Sequence, residues 1–118
     1  MRVMGLRWLA TRTSDFHDMV SFAEERLHLV PSTLTSDVAS FLLPNGDTFE
    51  VYASEDAGGG HPVDGAIGAF LVDDAAIAHA ELESSGADVL ALHEEGDVRW
   101  FYVRAPDGSY YELYSTTS

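Results

Sequence analysis

Pro106-Asp107-Gly108-Ser109-Tyr110-Tyr111-Glu112-Leu113-Tyr114 is the stretch on which the fold turns. It echoes Pro44-Asn45-Gly46-Asp47-Thr48-Phe49-Glu50-Val51-Tyr52 at an offset of 62 residues. Each copy runs Pro, Asn or Asp, Gly, two variable residues, Phe or Tyr, Glu, Val or Leu, Tyr. Asn-Gly and Asp-Gly are strong hairpin dipeptides, because a type I′ turn needs positive φ at both central positions. Each copy therefore predicts a tight turn leading into a strand that carries a glutamate at the same place.

The segments upstream of the two copies match in kind. Leu6 to Thr13 is strand-like, Ser14-Asp15 offers capping side chains, and Phe16, Met19, Val20, Ala23 and Leu27 follow at helical spacing. In the second half Ala66 to Val72 is strand-like and Asp73-Asp74 is the capping pair. Ala75 to Ser84 reads as a helix closed by Gly86. Further strands are predicted at Ser32 to Thr35, Val38 to Leu43 and Thr48 to Tyr52, and again at Asp88 to His93, Arg99 to Arg104 and Tyr110 to Tyr114. Each half thus reads β-α-β-β-β. One domain, 1–118, is expected, with a first module over 1–54, a Gly-rich linker over 55–65 and a second module over 66–118.

Composition narrows the chemistry. With 118 residues the chain is long enough to bury a core without metal or disulfide. It has no cysteine and no lysine, which excludes thiolate nucleophiles, Cys-ligated zinc, Schiff bases and a phosphate-loop lysine. Six Arg stand against 20 Asp and Glu, a net charge of −14. Such a field repels nucleic acid and anionic membranes and would attract cationic ligands, although the first reading of such acidity is that it confers solubility alone. No apolar run is long enough to span a membrane and no unbroken apolar leader opens the chain, so the expected location is cytoplasmic.

A duplicated βαβββ module whose Pro-Asp-Gly turn leads to a Glu-bearing last strand resembles the vicinal oxygen chelate superfamily. That superfamily includes glyoxalase I, extradiol dioxygenases and bleomycin resistance proteins. Trp100 to Tyr114 is the most specific part of the resemblance, which extends over nearly the whole chain. One small departure is Leu27-His28-Leu29, where the family often has Leu-Gly-Leu; His can adopt the left-handed conformation at some cost. The resemblance implies an α+β fold, curved mixed sheets around a cavity, and a homodimer.

It also implies a test for metal. Metal-using members take one ligand, typically His, from the first strand of each module and a Glu from each last strand. Glu50 and Glu112 fill the last-strand positions, but counting back from the capping pairs puts Trp8 and Ile67 at the others. Neither coordinates a metal, and two carboxylates alone suit zinc, nickel or iron poorly. No metal and no cofactor are therefore expected. His61, in the linker beside Pro62, and His93, ahead of Glu94-Glu95, are the substitutes to weigh; each reads better as a loop or turn residue. His17, His28 and His79 read as surface or helix-face residues.

Side chains two apart on a strand share a face. Thr48 and Tyr52 accompany Glu50, while Tyr110 and Tyr114 accompany Glu112, so Trp8, Glu50, Tyr52, Tyr110, Glu112 and Tyr114 form the expected ligand-binding set. Rings and carboxylates together suit a planar or cationic small molecule. The opposing reading is that the glutamates only pair with Arg7, Arg12, Arg99 or Arg104. No catalytic residue is identified, since no nucleophile motif or dinucleotide loop occurs. The leading expectation is a metal-free binder similar to bleomycin resistance proteins. An enzyme (lyase, isomerase or dioxygenase) with unconventional metal ligands is the alternative, and a protein of assembly or regulation with a vestigial cavity is the third.

Overall fold

The computed structural model describes residues 1–53 and 60–117. Residues 55–59 of the expected linker lie outside the described residues. Two compact units form, Trp8–Ile67 and Met1–Arg7 with Gly68–Ser118. Among the described residues no helix is long and apolar enough to cross a membrane.

In the first unit, β1 (Val3–Arg12) contributes its second half, beginning at Trp8. It pairs in parallel with β4 (Thr48–Tyr52), from Trp8 opposite Thr48 to Arg12 opposite Tyr52. β3 (Val38–Leu42) runs antiparallel to β4 and to β2 (Thr33–Leu34), giving the order β2-β3-β4-β1. One face carries Ala39, Phe41 and Val51, which close on Phe16 and Ala23 of the helical segment as a buried core. The alternate residues Ser40, Glu50 and Tyr52 therefore look away from the helix.

The helical segment departs from the predicted spacing. α1 (Phe16–Ser21) passes into a π-helical stretch over Phe22–Arg26, in which the Leu27 amide donates to the Phe22 carbonyl five residues back. The widened turn rotates Leu27 off the face it was expected to share with Ala23. Leu27 is 49% exposed, and Leu29 packs on the core instead. His28 follows with φ 59, in the left-handed region anticipated for it. The Asp15 side chain makes no cap hydrogen bond, because its backbone (φ −99, ψ 44) is not the extended one that caps require; its amide donates to Thr13 Oγ1.

The second unit is built to the same plan. β5 (Gly65–Val72), which enters this unit at Gly68, pairs in parallel with β9 (Tyr110–Thr116), Ala69 opposite Glu112. β9 is antiparallel to β8 (Val98–Arg104), which takes β6 (Asp88–Val89) and β7 (His93–Glu95) along its other edge. The single strand expected over Asp88 to His93 is thus two strands. The ladder ends after Leu90, whose amide still donates to the Tyr102 carbonyl while its own carbonyl accepts from His79 Nε2 at 2.8 Å. α2 (Ala75–Ser84) is capped as anticipated: Asp74 accepts from the Ile77 amide, and Gly86 closes the end at φ 85. Buried Ser115 adds an acceptor for the Ala75 amide. The core joins Val72, Ala75, Ala78, Phe101 and Leu113.

Both repeat turns have one geometry, and it is not type I′. The Gly46 amide donates to the Leu43 carbonyl, and that of Leu43 to Asp47; Gly108 donates to Ala105, and Ala105 to Ser109. Pro44-Asn45 and Pro106-Asp107 are the central residues of these turns, with only the following glycine at positive φ, 91 and 86. Proline's fixed negative φ suits the first central position of a type I turn, and the glycine then closes a three-residue loop. Asn45 Oδ1 accepts from the Asp47 amide as Asp107 Oδ1 does from Ser109, so the repeat extends to side-chain bonds.

Candidate functional site

The register of each unit decides where its glutamate points. Val51 is buried against α1 and Leu113 against α2, so Glu50 and Glu112, one residue earlier, lie on the helix-free face of their own sheets. Glu50 stands opposite Ala10 and Ser40. Glu112 stands opposite Ala69 and Tyr102. The two glutamates are thus equivalent in register, and Trp8 and Ile67 each lie two residues before the alanine that pairs with it.

In the first unit the half-buried Glu50 carboxylate collects neutral donors. Trp8 Nε1 donates to Oε1 at 2.9 Å, Tyr52 Oη donates to the same oxygen, and Ser40 Oγ donates to Oε2. Three of the expected residues, Trp8, Glu50 and Tyr52, are therefore brought together by β1 and β4. Ser40 joins them from β3; its signal in the sequence is the alternation Val38-Ala39-Ser40-Phe41, which puts it opposite to the core residues. The opposing reading links Glu50 to an arginine. Instead, Arg12 gives Nε to Asp64 at 2.9 Å and Nη1 to the His61 carbonyl at 2.6 Å.

His61 is more than a loop residue. It is 2% exposed, with Nδ1 2.7 Å from the Val63 carbonyl and Nε2 3.2 Å from that of Ala10. Its ring meets Tyr52 edge-on at 6.2 Å. Nothing in the local sequence signals this burial, which comes from the ties to β1.

In the second unit the helix-free face is aromatic. β9 presents Tyr110, Glu112 and Tyr114; β8 presents Arg104, Tyr102 and Trp100 opposite them. His93, paired with Trp100, stacks on it at 5.3 Å with 19° between the planes. Tyr102 and Tyr114 are buried, while Trp100, Tyr110 and Glu112 are half-buried. The Arg104 guanidinium lies over the Tyr110 ring, 6.0 Å from its centroid. Trp100 and Tyr102 lie outside the expected set, although alternation through Val98 to Arg104 puts both on one face. Arg99, on the other face, pairs with Glu94 at 3.4 Å.

These residues do not fit the metal centre of the resembled superfamily. Among the described residues no three His, Asp or Glu side chains gather as a metal would need. Glu50 directs its oxygens to Trp8, Ser40 and Tyr52, His61 turns both ring nitrogens to backbone carbonyls, and His93 lies flat against Trp100.

No protein-family model matches the sequence, and no curated protein matches it. Solved structures do. A glyoxalase/bleomycin resistance protein/dioxygenase superfamily member from Vibrio splendidus superposes with a TM-score of 0.70 at 19% identity, covering 92% of this chain and 96% of its own. Methylmalonyl-CoA epimerase from Mycobacterium tuberculosis gives 0.70 at 15% identity, covering 98% and 90%. A hypothetical protein from Bacillus halodurans gives 0.71 at 15% identity, covering 97% and 95%. With its two Glu-bearing last strands in equivalent register and these structural neighbours, the chain has the α+β fold of the glyoxalase/bleomycin resistance/dioxygenase, or vicinal oxygen chelate, superfamily.

Proposed function

We propose that this protein binds a small cationic or aromatic molecule, without a catalytic metal, on the carboxylate-bearing faces of its sheets. The observation that carries this reading is the Glu50 carboxylate, held by the neutral donors Trp8, Ser40 and Tyr52. Such an arrangement orients a negative group against an indole and a phenol. A cation set there gains a charged hydrogen bond and an aromatic face together. In the second unit Tyr110, Glu112 and Tyr114 offer the same chemistry.

Overall charge supports the same class of ligand. Four of the structural neighbours are methylmalonyl-CoA epimerases in complex with CoA compounds. A polyanionic CoA ester is a poor match for a chain of net charge −14, whereas a cation is drawn to it. We infer that the working form is a homodimer. The exposed apolar side chains Phe22, Leu27, Val30 and Leu34 in the first unit support it, and light scattering that finds only monomer at micromolar concentration would count against it.

The test pairs metal analysis with thermal shift. Protein purified without chelator should carry far less than one equivalent of nickel, zinc, iron or manganese, and adding these ions should leave Tm unchanged. The planar cation 9-aminoacridine should raise Tm more than neutral acridine does, and acridine-9-carboxylate should leave it unchanged. Stoichiometric metal that a Glu112→Ala variant loses would overturn the reading in favour of a metal-dependent enzyme.

A further inference from the structure

We propose that Arg104 is a resident competitor for the ligand of the second unit: its guanidinium occupies the cation subsite on Tyr110, and a planar cation displaces it. The inference rests on the reading of the Glu112 face as a binding face and adds what selects the ligand there. The antiparallel register sets Arg104 directly beside Tyr110, with Glu112 two residues further along the same face. The guanidinium carbon is 6.0 Å from the ring centroid. One guanidinium nitrogen is 3.8 Å from where a Cβ on Gly108 would stand, so the group also lies against the Pro106–Gly108 turn.

A guanidinium is itself a planar cation. The face therefore already holds, through one of its own side chains, a group of the chemistry proposed for its ligand. The hold is weak. Arg104 is exposed, and a cation that stays in water beside a half-buried ring gains a factor of only about two to five. Asp88, its ladder partner on β6, is exposed as well. A ligand that covers Tyr110 and also reaches Glu112, roughly 7 Å along the strand, adds a charged contact that Arg104 does not make. The occupant sets a threshold: a bare small cation gains little over it, and a planar ring bearing a cationic nitrogen gains most.

The test is a fluorescence titration with 9-aminoacridine, localised by amide shifts at Tyr110 and Glu112 in a nuclear magnetic resonance spectrum. Arg104→Met keeps the apolar stem and removes the competing cation. It should bind about two- to fivefold more tightly than the parent. Arg26→Met makes the same change of charge at an exposed site in the first unit and should bind as the parent does. Tyr110→Leu combined with Arg104→Met should lose the gain, and unchanged amide spectra elsewhere verify the fold of each variant. Equal or weaker binding by Arg104→Met overturns the proposal, as does an equal gain in Arg26→Met, which would reduce the effect to net charge. If the dye binds and Glu112→Gln weakens it while Arg104→Met does nothing, the competitor proposal alone falls. If Glu112→Gln leaves binding untouched, the reading of this face as the site falls with it.

Discussion

Replacing Trp8 with Phe keeps a ring on β1 and deletes one hydrogen bond, the 2.9 Å contact from Nε1 to Glu50. A bond to a charged acceptor contributes about 1.5–3 kcal/mol, and the lower end applies here because both residues are half-buried and water can reach the vacated lone pair. Loss of indole area adds a smaller packing deficit. A double-mutant cycle with Glu50→Leu removes that deficit from the comparison, since Ser40 and Tyr52 lose their acceptor in the Glu50→Leu single variant and in the double variant alike. The expected coupling is about 1.5 kcal/mol by urea denaturation followed with circular dichroism. For a chain of this size that corresponds to roughly 4 °C in Tm per kcal/mol. A coupling below about 0.3 kcal/mol, the usual error of additivity, would refute the claim that Trp8 holds the Glu50 carboxylate in place.

Two other predictions probe the frame. The Asp73 carboxyl is held below its ordinary value chiefly by the Arg2 amide, with the Asp74 amide assisting against the opposing effect of burial. A depressed folded-state value means stability that is present above the unfolded pKa near 3.8 and lost as pH falls below it. Asp73→Asn should therefore be less stable than the parent at neutral pH, and the difference should vanish in acid; a difference that persists at the lowest pH would contradict this. Gly46→Ala and Gly108→Ala each force a Cβ into the left-handed region, at φ 91 and 86, and should each cost about 1–2 kcal/mol in a denaturant titration. Loss at one turn and none at the other would break the equivalence of the two hairpins.

Much of this frame is legible in the residues because the repeat carries it. The Pro-Asn/Asp-Gly turns and the alternation after them set the register of Glu50 and Glu112, and period-two patterning is unforgiving of a slip. What the residues do not announce depends on contacts distant in sequence or on backbone geometry. The π-helical stretch at Phe22–Arg26 shows no Gly or Pro to mark it, yet it moves Leu27 out and Leu29 in. The turn type differs from the expected one because the proline before Asn-Gly or Asp-Gly holds the first central residue at negative φ. His61 is buried by carbonyls of Ala10 and Val63, one of them far away in the chain. Ser40, Trp100 and Tyr102 lie within correctly placed strands, but on neighbours of the last strand in each half, where the repeat gives no pointer to them.

The most direct measurement is calorimetric titration of 9-aminoacridine into the parent and into Glu50→Gln and Glu112→Gln. Gln keeps the shape of the side chain and removes its charge, so each charged hydrogen bond lost, about 1.5–3 kcal/mol, should weaken binding by roughly tenfold or more. Reversing exposed acids elsewhere, such as Glu83, should alter mainly the association rate and its salt dependence. If these carboxylates form the binding site, the two Gln variants stand apart from the surface variants. Parent-like affinity in both Glu50→Gln and Glu112→Gln would contradict it and remove these carboxylates from the binding site.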